Sequence, residues 1–339
     1  MPLTTTSALP GAVPRLSPKV VGLLAALVTV VIWTAFIVVA RASADPARAP
    51  TLTPVDIVFA RLLGAGLILL PLGWWLTQTQ RALQREAGQL PDAGSLWGLS
   101  PLPLRITVQT GLLGGLIYGL LAYSGFVFAP AAHASVLMPG SLPLWTALLA
   151  VFVLGERISG SRVIGLLCIV AGDLLVGGAS LLHAFDGGSV WRGDLLFVLS
   201  ALTWSCYSVL VRKHGLQAVH ATTAITVFAF LVYVPSYLLL VWAGVFQGHV
   251  FSAPLRDVLW QMLMQGLGSV VVSGITFNMM IRAFGPVRST MLTAVVPGMS
   301  ALSAALFLGE PLPWNVLLGL ALVTAGIVFG VSQAGAKKA

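Results

Sequence analysis

The chain has 339 residues, 58% apolar and 8% charged, with a mean hydropathy of +0.96 and a formal net charge of +8. Soluble domains carry about 25% charged residues. So few charges cannot cover a water-facing surface, so a soluble fold is excluded and an all-α integral membrane protein is expected.

Residues 1–17, "MPLTTTSALPGAVPRLS", are polar and proline-containing and are expected to form a disordered cytoplasmic tail. A span needs roughly 20 mostly apolar residues. Ten such runs follow, at 20–40, 57–76, 106–129, 134–154, 163–182, 195–211, 221–244, 258–281, 289–309 and 312–333, before a cytoplasmic tail at 334–339. "ASA" at 42–44 has the form of a cleavage site. The run before it exceeds a signal-peptide core of about 7–15 residues, so this helix is expected to be retained.

Helix 1 carries Trp33 and Phe36 on one face. They lie mid-run and are either ordinary packing or an aromatic wall for a solute. In helix 2, Arg61 lies about 10 Å along the axis from Pro54. Helix 3 has a stripe of Gly111, Gly115 and Gly119, which suits close helix packing. Its Tyr118 and Tyr123, with His133 and Met138 of helix 4 and Asn278 of helix 8, are candidates for substrate contact. Polar groups are costly in lipid, so the tyrosines, the histidine and the asparagine should face the interior. Pro139 and Pro143 of helix 4, and Pro297 of helix 9, remove helical hydrogen bonds and are read as hinges or as static kinks.

Helices 4 and 9 both end in "LGE". Gly155 and Gly309 suit the left-handed position that ends a helix. Glu156 and Glu310 are expected to accept N–H groups of the helix that follows. Helix 5 carries Asp173 about 15 Å along its axis, near mid-membrane. An ion pair between Arg61 and Asp173 would relieve both charges if helices 2 and 5 meet; otherwise Asp173 is a neutral carboxyl, either structural or a proton site, and the structural reading is favoured.

Placing the N-terminus in the cytoplasm puts thirteen of the 18 Lys and Arg inside and four outside, namely Arg41, Arg48, Arg192 and Arg256. This positive-inside bias accounts for the net charge without nucleic acid and supports ten helices with both termini cytoplasmic. Cys168 and Cys206 both lie in apolar runs, so neither a structural disulfide nor a metal site is expected, and no cofactor motif is present.

The chain repeats itself. "PLWTALLAVFVLGERISGSRVIGLLCIVAG" from Pro143 and "PGMSALSAALFLGEPLPWNVLLGLALVTAG" from Pro297 share Pro143/Pro297, Gly155/Gly309, Glu156/Glu310, Gly165/Gly319 and Gly172/Gly326. Gly22, Trp33, Phe36 and Arg41 of helix 1 correspond to Gly193, Trp204, Tyr207 and Arg212 of helix 6. Trp204 and Tyr207 therefore join the substrate-contact candidates. Asp173 corresponds to Ile327, so that carboxylate is private to one half. Two five-helix repeats, 18–182 and 191–333, are expected. Five is odd, so the second enters from the opposite side, as in many secondary transporters.

The doubled "Pro…LGE…G…AG" block, the "WTAFIVVAR" of helix 1 and the "FARLLGAG" of helix 2 resemble EamA-type members of the drug/metabolite transporter superfamily. The resemblance implies a ten-helix exporter of amino acids or similar small metabolites in a bacterial inner membrane. It also implies a cavity lined by helices 1, 3, 4, 6, 8 and 9. The spacing Pro130–Pro143 is two residues longer than Pro286–Pro297, which shifts the register of early helix 4.

A secondary transporter, monomeric or weakly dimeric, is the leading reading. No G-x-x-x-x-G-K-[ST] loop is present to couple a nucleotide. An intramembrane aspartyl protease needs a second carboxylate, which no apolar run supplies. A channel or structural membrane protein is the alternative.

Overall fold

A computed structural model describes residues 17–332. The tails expected at 1–17 and 334–339 lie outside the described residues, except Ser17. The described chain is helical, with one isolated bridge between Ser95 and Ser100. Among the described residues, nine helices are long and apolar enough to cross a membrane: α1 (Pro18–Ala44), α2 (Pro54–Glu86), α3 (Leu104–Phe128), α4 (Ala131–Leu154), α5 (Arg162–Ala184), α6 (Val190–Lys213), α7 (Ala218–Trp242), α8 (Leu255–Phe284) and α9 (Pro286–Leu308). A further helix, α10 (Trp314–Ser332), has a shorter apolar stretch, Trp314–Phe329.

Local chemistry sets the helix ends. Ser17 caps α1 through the Val20 N–H, with Pro18 behind it. Thr53 and Asp56 form a reciprocal capping box on α2. α4 and α9 stop at Gly155 (φ +66°) and Gly309 (φ +69°), left-handed positions that glycine adopts without strain.

Both "LGE" helices are broken. α4 has a wide turn at Val136–Gly140 and restarts at Leu142. α9 pauses at Thr293 and restarts at Val295. Pro143 and Pro297 sit in the first turn of the restarted pieces, where the missing N–H has no helical acceptor to lose. Wide turns also interrupt α3 at Gly111–Ile117 and α8 at Met262–Val272.

Contacts between the two halves come in matched sets. α1 packs on α8 and α9, as α6 packs on α3 and α4; α2 packs on α8, as α7 packs on α3. Three further pairs join a helix to its own counterpart: α2 with α7, α4 with α9, and α5 with α10. The α5/α10 seam accounts for the repeated glycines. A Cβ at Gly172 would stand 2.6 Å from the Gly319 carbonyl oxygen, and one at Gly326 would strike the Gly165 carbonyl. Small residues let backbones meet where lipid offers no hydrophobic drive.

Candidate functional site

The candidate site is built around Trp204 of α6. Trp33 and Phe36 are three residues apart and face it from α1, with Tyr118 from α3 and Met138 and Pro139 from the wide turn of α4. The Trp204 ring lies 4.8 Å from Tyr118, 5.2 Å from Tyr207 and 6.0 Å from Trp33, centre to centre. Phe277 of α8 closes the cluster, 5.0 Å from Trp33. Trp204 also borders a second, more polar cavity, lined by Arg61, Gly114, Gly115, Thr222, Thr226 and Ser269. The wide turns of α3 and α8 supply Gly114, Gly115 and Ser269, and such turns re-aim side chains out of helical register.

Each cavity has a volume of about 20 Å³. That is room for a water and too little for a metabolite.

Several sequence candidates meet here and others do not. Trp33, Tyr118, Met138, Pro139 and Trp204 share the aromatic cavity. Tyr123 is buried beside it and accepts a hydrogen bond from Arg61 (3.1 Å) while donating to Gln265 (2.8 Å). Tyr207 donates to Asn278 (2.8 Å), whose amide donates to Thr222 and Gly274. That pair is self-satisfied and lines neither cavity. His133 lies apart, 2.9 Å from Asp194, which also accepts from Ser180. It borders a separate cavity of about 500 Å³ with His183, Trp314 and Asn315. The lining departs from the implied set of helices, because α2 and α7 contribute and α9 does not.

Arg61 and Asp173 are not paired. Arg61 spends its contacts on Tyr123 and on the ring faces of Tyr118 and Tyr123, at 5.9 and 5.7 Å. The Asp173 Oδ1 is buried with no hydrogen-bond partner among the described residues. The reason is helix placement: α5 packs on α10, α6 and α4, while α2 packs on α7 and α8.

Glu310 does act at a helix start, but not that of the next helix. It accepts from the Ala131 N–H of α4 (2.8 Å) and pairs with Arg41 of α1 (2.7 Å). Arg41 also donates to the Phe126 carbonyl at the end of α3 (2.6 Å). One end of the molecule is thus tied across both halves. The repeat counterparts, Arg212 and Glu156, take part in no ion pair among the described residues.

Sequence reasoning missed two buried carboxylates at helix starts, Asp56 and Asp194. The Thr53-x-x-Asp56 capping pattern signals the first; no pattern signals the second. It also missed Gln265 and Ser269, single polar residues in an apolar run.

The EamA-like transporter family model matches residues 20–178 and again 191–332. The chain belongs to that family. It is a multi-pass protein of the cell membrane, and family and relatives mark it as a transporter rather than an enzyme. It is 26% identical over 228 residues to "Uncharacterized transporter YoaV" of Bacillus subtilis, covering 66% of this chain and 74% of that one. It is 26% identical over 239 residues to a "Probable amino-acid metabolite efflux pump" of Salmonella typhimurium, covering 66% and 76%. The Escherichia coli protein of the same name is 24% identical over 244 residues, covering 67% and 78%. A solved crystal structure shares the fold, with a TM-score of 0.60 at 21% identity and coverage of 94% and 98%.

Proposed function

We propose that this EamA-family protein is a secondary transporter that exports amino acids or related small metabolites by alternating access. The reading takes ten spanning helices, both termini cytoplasmic, and inverted repeats at 18–182 and 191–333, working as a monomer or weak homodimer. Two efflux-pump relatives support the substrate class.

The observation that carries the mechanism is the one-sided latch. Arg41 and Glu310 are joined, while Arg212 and Glu156, the same residue types in the other half, are not. Under the positive-inside assignment the latched end faces outward. On this reading the state described is closed to the outside, with the central site contracted. Releasing one latch as the other forms moves the opening from one face to the other. Pro139, Pro143 and Pro297 lie at or beside the helix breaks where such a rocking would bend α4 and α9.

Counterflow in proteoliposomes tests the reading. Vesicles preloaded with a transported amino acid should take up labelled solute, with saturation. Linear, unsaturable flux would indicate a pore, and no flux across a broad metabolite panel with folded protein would contradict transport.

A further inference from the structure

The groups around the second cavity are donors in excess. Arg61 is 4% exposed and carries a permanent positive charge, yet no carboxylate among the described residues pairs with it. The indole N–H of Trp204 is buried without an acceptor. So is the amide nitrogen of Gln265, whose oxygen is already held by Tyr123. The Ser269 hydroxyl lines the cavity and makes no hydrogen bond among the described residues. Neither cavity is lined by an Asp or Glu. Buried polar groups in native structures are nearly always satisfied, so a cluster of orphaned donors beside an unpaired cation marks a place for an acceptor anion.

We propose that Arg61, Ser269 and Trp204 anchor a carboxylate, and that the cargo is a monocarboxylate with an apolar, preferably aromatic, body. Tyr123 and Gln265 act through Arg61, holding its guanidinium in place. The carboxylate replaces the missing counter-ion, and a planar guanidinium fits it in bidentate fashion. The body of the solute occupies the aromatic cavity next door, between Trp33, Phe36, Tyr118 and Met138, in a state of the protein where that cavity is wider than the room for one water it has here. An α-ammonium group finds no acidic partner there, so an amine is not required for recognition. The proposal rests on the transporter reading for the cavity's role, but the site binds whether or not transport follows.

Ligand-induced thermal stabilisation of the purified full chain tests it, with 3-phenylpropionate, L-phenylalanine and 2-phenylethylamine as probes. The two carboxylates should bind, and the amine should bind about ten- to a hundredfold more weakly. Arg61→Gln should weaken both carboxylates by a similar factor and leave the amine unchanged, with Arg61→Lys falling between. The wild-type series stands alone if Arg61→Gln does not fold. Equal binding of the amine, or no binding of either carboxylate, overturns the proposal. Counterflow of other solutes in that case leaves the transporter reading intact. Binding of carboxylates without flux of any solute would instead retain the site and remove the transporter reading.

Discussion

The two ends of this protein are built from the same sequence elements and differ in what those elements do. At one end Arg41 of α1 reaches Glu310 after α9, and Glu310 reaches the first turn of α4. Arg48 adds a hydrogen bond to the Leu308 carbonyl (2.7 Å). At the other end Arg212 follows α6's apolar run and Glu156 follows α4, and they stand apart. Under the proposed mechanism, this difference between ends that share a signature is one of conformation. The α5/α10 seam provides the contrast, because Gly172 against Gly319 and Gly165 against Gly326 are close approaches of one kind on both sides of the crossing.

Five substitutions break or sharpen that comparison. Glu310→Ala removes the closer of the two carboxylates that Arg41 holds, leaving only Asp45 at 3.4 Å, and leaves the Ala131 N–H without its acceptor. It should lower stability by about 3 kcal/mol, read by thermal unfolding in detergent. Gly172→Ala and Gly326→Ala should each cost about 1–3 kcal/mol through overpacking and, as repeat counterparts on the two sides of the seam, should cost similar amounts. Unequal costs would place the asymmetry in the seam as well as at the ends. Glu156→Ala should change stability by no more than about 0.5 kcal/mol, since its latch is open here, but should slow transport when the other state must form. Asp173→Asn should have the smallest effect, with flux and its pH dependence unchanged. Loss of pH dependence would make Asp173 a coupling group.

Much of this fold was legible in the sequence. Apolar runs marked the helices, and the glycine of "LGE" marked where α4 and α9 end. The aromatic part of the site was partly legible, because Trp33 and Trp204 are repeat counterparts in mid-run. The wide turns in α3 and α8 were not, because they follow from packing against neighbouring helices and leave no periodicity signal. Ser269 reaches the site only through such a turn. The Arg61–Asp173 pair failed for a related reason: depth along a helix can be counted in residues, whereas lateral placement depends on which helices touch. Glu310 was read as a local cap because sequence proximity favours the next helix, while the helix start it reaches lies 179 residues back.

The central claim is that the two latches alternate. Cysteine cross-linking with a short, reducible bifunctional thiol reagent tests it most directly, in a background with Cys168 and Cys206 replaced, because side chains that meet tip to tip hold their Cβ atoms too far apart for a direct disulfide. Arg41→Cys/Glu310→Cys and Arg212→Cys/Glu156→Cys are treated separately in proteoliposomes, and flux is measured before and after reduction. The account predicts that each pair cross-links, that either cross-link stops flux, and that reduction restores it. Continued flux with the Arg41/Glu310 positions cross-linked, or failure of the Arg212/Glu156 positions ever to cross-link, would contradict it.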